Sequence, residues 1–75
     1  MRTIWFMYKF NNVWTRSLYL CDGRIKKFKT TDKAFDFLIL SGWLDVYTDI
    51  IYLICDMEMR IKWRSDSKMQ QIKLF

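Results

Sequence analysis

From residue 53 to residue 64 the chain alternates: Leu53, Cys55, Met57, Met59, Ile61 and Trp63 are apolar, while Asp56, Glu58, Arg60, Lys62 and Arg64 are charged. Period-two alternation is the pattern of a strand with one face buried and the other in water. The spacing predicts a single strand over residues 50–64. Its solvent face changes from acidic at Asp56 and Glu58 to basic at Arg60, Lys62 and Arg64.

Residues 3–10 are rich in aromatic and aliphatic side chains, Asn11 and Asn12 interrupt them, and residues 13–21 resume the pattern. Adjacent asparagines tolerate the positive φ that a two-residue type I′ turn requires, so the two segments form a hairpin. The turn sets the register: Phe10 faces Val13, Tyr8 faces Thr15, Phe6 faces Ser17 and Ile4 faces Tyr19 on one side. On the other side Lys9 faces Trp14, Met7 faces Arg16 and Trp5 faces Leu18. Asp22-Gly23 is a second hairpin signal and leads into a third strand over residues 24–29, which completes a three-strand meander.

Thr30 or Thr31 then offers a hydroxyl to cap a helix, Asp32 favours the positive end of its dipole, and Gly42 is placed to end it. Between them residues 34–40 leave little polar surface, so this helix is expected to be covered on two sides. Residues 43–49 read as a connection or a second short helix, and the absence of proline keeps a helical reading open as far as residue 57. After the 50–64 strand, Ser65-Asp66-Ser67 forms a turn into a last strand over residues 68–74. The expected fold is α+β: a small antiparallel sheet packed on one main helix, in the order β-β-β-α-β-β, as a single domain over residues 1–75.

Composition sharpens this picture. A chain of 75 residues that is 52% hydrophobic and 19% aromatic is too apolar to be disordered. A domain so short buries only about 60–65% of its unfolded surface. Its apolar load exceeds what one small core can hide, which predicts a partner-facing patch or a homo-oligomer.

Cys21 and Cys55 lack metal-ligand spacing and the chain has no histidine, so no metal is expected. The first residues lack the pattern of a signal peptide, which favours a reducing, cytoplasmic compartment with both thiols free and buried. The longest apolar run, residues 50–55, is far below the roughly 20 residues that span a bilayer, so no membrane association is expected. Residues with A/T-rich codons (Phe, Tyr, Met, Ile, Asn, Lys) number 33 against 8 with G/C-rich codons (Gly, Ala, Arg, Pro). That bias is in keeping with a phage or mobile-element gene, whose product would work in the host cytoplasm.

Charge falls in blocks. Residues 1–31 balance to +6, residues 32–58 to −5 and residues 59–75 to +4. If the basic blocks are neighbouring strands, the molecule is dipolar and can steer onto a charged partner. The acidic block explains itself structurally, with Asp32 at a helix start and Asp56 and Glu58 on a solvated strand face, though it could also contact a basic cleft.

Catalysis is not expected: no glycine-rich phosphate loop or nucleophile motif surrounds Ser17, Ser41 or either cysteine, and no cofactor is implied. The leading expectation is a non-catalytic module, an accessory protein of a phage or mobile element that binds and inhibits or modulates a host protein. Its candidate contact residues are Trp5, Trp14, Arg16, Trp43, Lys62 and Arg64, aromatics flanked by cations. The alternative is a small nucleic-acid-binding domain that neutralises phosphates with Arg24, Lys26, Lys27 and Lys29 and stacks bases on its aromatics. A third reading is a homo-oligomer joined through the apolar helix at residues 35–40.

Overall fold

The computed structural model describes residues 1–66. Its elements are β1 (Arg2–Phe10), β2 (Val13–Leu18), β3 (Leu20–Cys21), β4 (Arg24–Ile25), β5 (Lys27–Phe28), α1 (Thr31–Ser41), α2 (Trp43–Val46), β6 (Ile51–Asp56) and β7 (Ile61–Arg64). The sheet runs β2-β1-β6-β7, every pairing antiparallel, with β5 also pairing β1. The fold is α+β, with one main helix against the sheet. The expected strand over residues 68–74 lies outside the described residues.

Both asparagines of the first turn take positive φ, 51° and 64°, and the β1–β2 register is the one the two-residue turn dictates, from Phe10↔Val13 to Trp5↔Leu18. Tyr19 N–H extends it by donating to the Ile4 carbonyl at 2.9 Å. The second turn also forms, with Asp22 at φ 53° and Gly23 at 75°.

The meander does not. β3 and β4 pair only with each other, as a separate two-stranded hairpin, and β5 then returns to β1 at Arg2↔Phe28 and Thr3↔Lys27. β2 and β5 therefore share one edge of β1, interrupted by the β3–β4 excursion. The return seats Phe28 in the core beside Ile4, and that burial outweighs the ladder a straight third strand would add.

The 50–64 strand is the second correction. It is a hairpin, β6 and β7, bent at residues 57–60, with Met59 at φ 68°. Asp56, expected on a solvated face, is buried at 6% exposure and organises this turn. One carboxylate oxygen accepts the backbone N–H of Glu58 and of Arg60, each at 2.9 Å, and the other accepts Arg60 Nε at 2.8 Å. Side-chain capping of consecutive backbone donors is the local competition by which Asp favours turns over a continued ladder. These hydrogen bonds, the backbone N–H of Arg60 foremost, hold the Asp56 pKa at about 2. Met57 and Met59, assigned by alternation to the buried side, stand exposed at the bend.

α1 starts where expected. Thr30 Oγ1 accepts the Lys33 N–H at 3.2 Å, and Gly42, in the left-handed conformation at φ 75°, ends the helix by donating its N–H to the Ile39 carbonyl. Ala34 and Leu38 are fully buried against Ile4, Phe28, Tyr52 and Ile54. The helix is covered on one side only: Leu40 is 86% exposed and Ile39 lies beside it in water. Trp43–Val46 forms the second short helix, and the helical reading goes no further. The buried Tyr52 hydroxyl lies 3.2 Å from the Trp43 carbonyl and 3.3 Å from that of Tyr47, tying α2 to the sheet.

Candidate functional site

Residues paired across a sheet share a face, so the registers sort every strand side chain to the helix side or the opposite side. The helix side carries Ile4, Phe6, Phe28, Tyr52, Ile54 and Trp63, all members of the core or packed against it. The opposite side carries Thr3, Trp5, Met7 and Lys9 of β1, Trp14, Arg16 and Leu18 of β2, Lys27 of β5, Ile51, Leu53 and Cys55 of β6, and Ile61 and Arg64 of β7. Neither α1 nor α2 covers this side. We refer to it as the open face.

Its middle is apolar and its strand positions carry charge of one sign, with Asp56 reaching it only at the end beside Trp5. No Asp or Glu occupies a position of this face in β1, β2, β5, β6 or β7. Its cations are Lys9, Arg16, Lys27 and Arg64, the last held in a two-pronged pair by Asp66 at 2.9 Å to each nitrogen. Arg16 projects its field across the face: it pulls the Cys55 thiol toward ionisation, but burial outweighs it and the thiol pKa is raised. Leu53 and Cys55 are fully buried without a helix above them.

The aromatic rings of the face are already engaged. Lys9 Nζ sits 5.6 Å from the centre of the Trp14 ring, a cation–π pair across the hairpin, and Trp14 remains 52% exposed. Trp5 Nε1 donates to Thr3 Oγ1 at 3.2 Å, which turns the indole back along β1. At that end Trp5, Leu18, Thr3 and Asp56 line a groove of about 110 Å³ between Ile25 of the β3–β4 hairpin and Met57 and Met59 of the β6–β7 bend.

The structure therefore brings four of the six expected contact residues, Trp5, Trp14, Arg16 and Arg64, to one face. It separates the other two. Trp43, expected as an exposed anchor, is half-buried on the helix side, with ring centres 5.4–5.8 Å from Tyr19, Phe6 and Phe37. Lys62 falls at the register shift between Ile54 and Cys55 and turns toward Asp56, with 3.9 Å between Nζ and Oδ2. Of the residues expected to hold phosphates, only Lys27 shares the open face by register. Arg24 belongs to the β3–β4 hairpin, Lys26 lies over the Phe28 ring at 5.7 Å, and Lys29 is exposed beyond β5.

Met7, Lys9 and Leu18 were assigned to this face by the Asn-Asn register without being singled out as contacts. Ile25, Met57 and Met59 were missed, because their placement depends on the two hairpins that the alternation concealed.

Elsewhere, a cavity of about 340 Å³ opens between α1 and β7, lined by Phe35, Ile39, Leu44, Ile50, Tyr52 and Trp63 with Thr48 and Ser65 as its polar groups. Cys21 is exposed and Cys55 buried, so only one thiol matches the expectation of buried free thiols. Among the described residues no three His, Cys, Asp or Glu side chains converge as a metal site would need, and no helix is long and apolar enough to cross a membrane. Comparison with protein-family models, curated proteins and solved structures gives no match for this chain.

Proposed function

We propose that the protein is a non-catalytic binding module whose open sheet face docks an acidic, partly apolar surface of a larger protein and so modulates it. The observation that carries this reading is the composition of the face: an apolar centre of Trp5, Met7, Leu18 and Ile51, with Lys9, Arg16 and Lys27 around it and no carboxylate on its strands. Half-buried apolar area bordered by cations is complementary to an apolar patch edged by Asp and Glu, with the cations setting approach and register.

The same cations would attract nucleic acid. The protein partner is favoured because Trp14 is stacked under Lys9 and Trp5 is tied to Thr3, so neither ring stands free as a base-stacking platform. The excess of residue types encoded by A/T-rich codons supports an accessory protein of a phage or mobile element, acting on a host protein.

The test is affinity capture of the tagged protein from bacterial lysate with and without nuclease, beside an Arg16→Glu/Lys27→Glu variant. A stoichiometric protein that survives nuclease and is lost by the variant supports the reading. Partners that vanish with nuclease transfer the face to nucleic acid, and partners retained equally by the variant exclude the face altogether.

A further inference from the structure

β2 is an edge strand whose outer side faces no other strand among the described residues. Tyr19 N–H donates to the Ile4 carbonyl, and hydrogen-bonded pairs alternate along an antiparallel ladder, so Ser17, Thr15 and Val13 also bond to β1. The N–H and C=O groups of Trp14, Arg16 and Leu18 consequently point outward, away from β1. A six-residue edge with such a row, free of proline, is a template for another strand.

The side chains on that edge are complementary to themselves. If two β2 strands pair antiparallel about a two-fold axis through Thr15, each Trp14 lies opposite the second copy's Arg16 and each Val13 opposite the second copy's Ser17. Trp14 and Arg16 then form a hydrogen-bonded pair on both sides of the axis, which satisfies the outward backbone groups of both residues. The indole of one copy then lies between its own Lys9 on the β1 side and the guanidinium of the other copy on the outer side, a second cation beside the ring, in a contact made twice. The alternative centre, Arg16 against Arg16, sets like charges face to face and is disfavoured by the same rule. Pairing about Thr15 also covers Val13 and Trp14, which are 62% and 52% exposed at this edge.

We infer that the protein forms a two-fold dimer with a second copy of itself by antiparallel pairing of β2 with β2, centred on Thr15, with Trp14 of each copy against Arg16 of the other. The sheet then runs β7-β6-β1-β2-β2-β1-β6-β7. The two open faces lie on the same side, because paired residues share a face, and Lys9, Arg16 and Lys27 of both copies form one continuous basic surface. In this dimer the hydrophobic helix stays outside the interface: Phe35, Phe37 and Leu38 pack toward the core, and Ile39 and Leu40 are the members of its apolar run that remain exposed.

The experiment is sedimentation equilibrium of the full chain, wild type and Thr15→Lys, with folding of the variant checked by circular dichroism. Thr15→Lys places two ammonium groups on the axis without touching the open face, and it is expected to weaken the dimer at least tenfold. Independently, Cys21→Ser/Thr15→Cys is expected to form a disulfide-linked dimer on mild oxidation, since positions opposite each other without mutual hydrogen bonds bring side chains closest. Cys21→Ser/Asp36→Cys, on the exposed side of α1, is expected not to. A wild-type chain that stays monomeric at every concentration, or a Thr15→Cys variant that cross-links no faster than the Asp36→Cys variant, overturns the inference.

Discussion

Asp56 and Arg60 are joined three times. The Asp56 carboxylate accepts both the backbone N–H and the Nε of Arg60, and Asp56 N–H donates back to the Arg60 carbonyl at 3.0 Å. The guanidinium is largely in water while the carboxylate is buried. The backbone contacts therefore carry most of the turn, and the surface ion pair adds little.

Asp56→Ala is expected to destabilise the protein more than Arg60→Ala, Glu58→Ala or Asp66→Ala, because it leaves the Glu58 and Arg60 amides without their acceptor. Thermal melts of the four variants check the order.

The pH dependence has a definite sign. The folded Asp56 pKa is about 2, below the unfolded carboxylate value of about 3.9. Its contribution is therefore complete above pH of about 4 and is lost as the pH falls toward 2. Melting curves in that window should show a steeper loss of stability for the wild type than for Asp56→Asn.

Leu38→Ala is expected to cost about 2–5 kcal/mol, a cavity in the only core the described residues form. Leu40→Ala, two residues along the same helix, should stay within about 0.5 kcal/mol of wild type. For a 75-residue protein with a total stability on the order of 4–11 kcal/mol, the first change is severe. Urea titration of both variants measures the contrast.

At Gly42 a methyl group meets nothing within 4 Å, yet φ is +75°. Gly42→Ala should therefore cost about 1–2 kcal/mol through the backbone alone, a fall of roughly 4–8 °C in Tm per kcal/mol.

Thiol titration should find one fast and one slow group. Cys21 is exposed and reacts in the folded protein. Cys55 is buried with its pKa raised, so labelling it should require unfolding, and mass spectrometry after a short pulse should place the label on Cys21.

Local rules written in a few adjacent residues were legible in the sequence. Asn11-Asn12 set the register of the first hairpin, and with it the grouping of Trp5, Trp14 and Arg16, because a two-residue turn leaves no freedom to slip. Thr30 and Gly42 bounded the helix for the same kind of reason. What stayed hidden depended on competition between distant groups. Alternation from Leu53 to Trp63 survives a bend because a hairpin also alternates, so nothing in the pattern distinguishes one strand from two. Only the burial of Asp56 among the amides it accepts reveals the turn. The departure of residues 20–25 from the sheet is likewise decided by where Phe28 can be buried, which no local signal encodes.

The placement of β1 has a consequence for how the chain reaches this structure. Its pairing with β2 closes over the two-residue Asn-Asn turn, whereas its pairing with β6 joins Arg2 to Asp56 and Met7 to Ile51 across most of the described chain. Short loops close on the sub-microsecond scale, and long-range ladders must first overcome the entropy of the loop they enclose. The hairpin thus forms early while the other edge of its first strand waits for a partner not yet made. As the chain leaves a ribosome, the second edge of β1 stays unpaired until residues 51–56 have emerged, and that interval is when this protein is most exposed to aggregation.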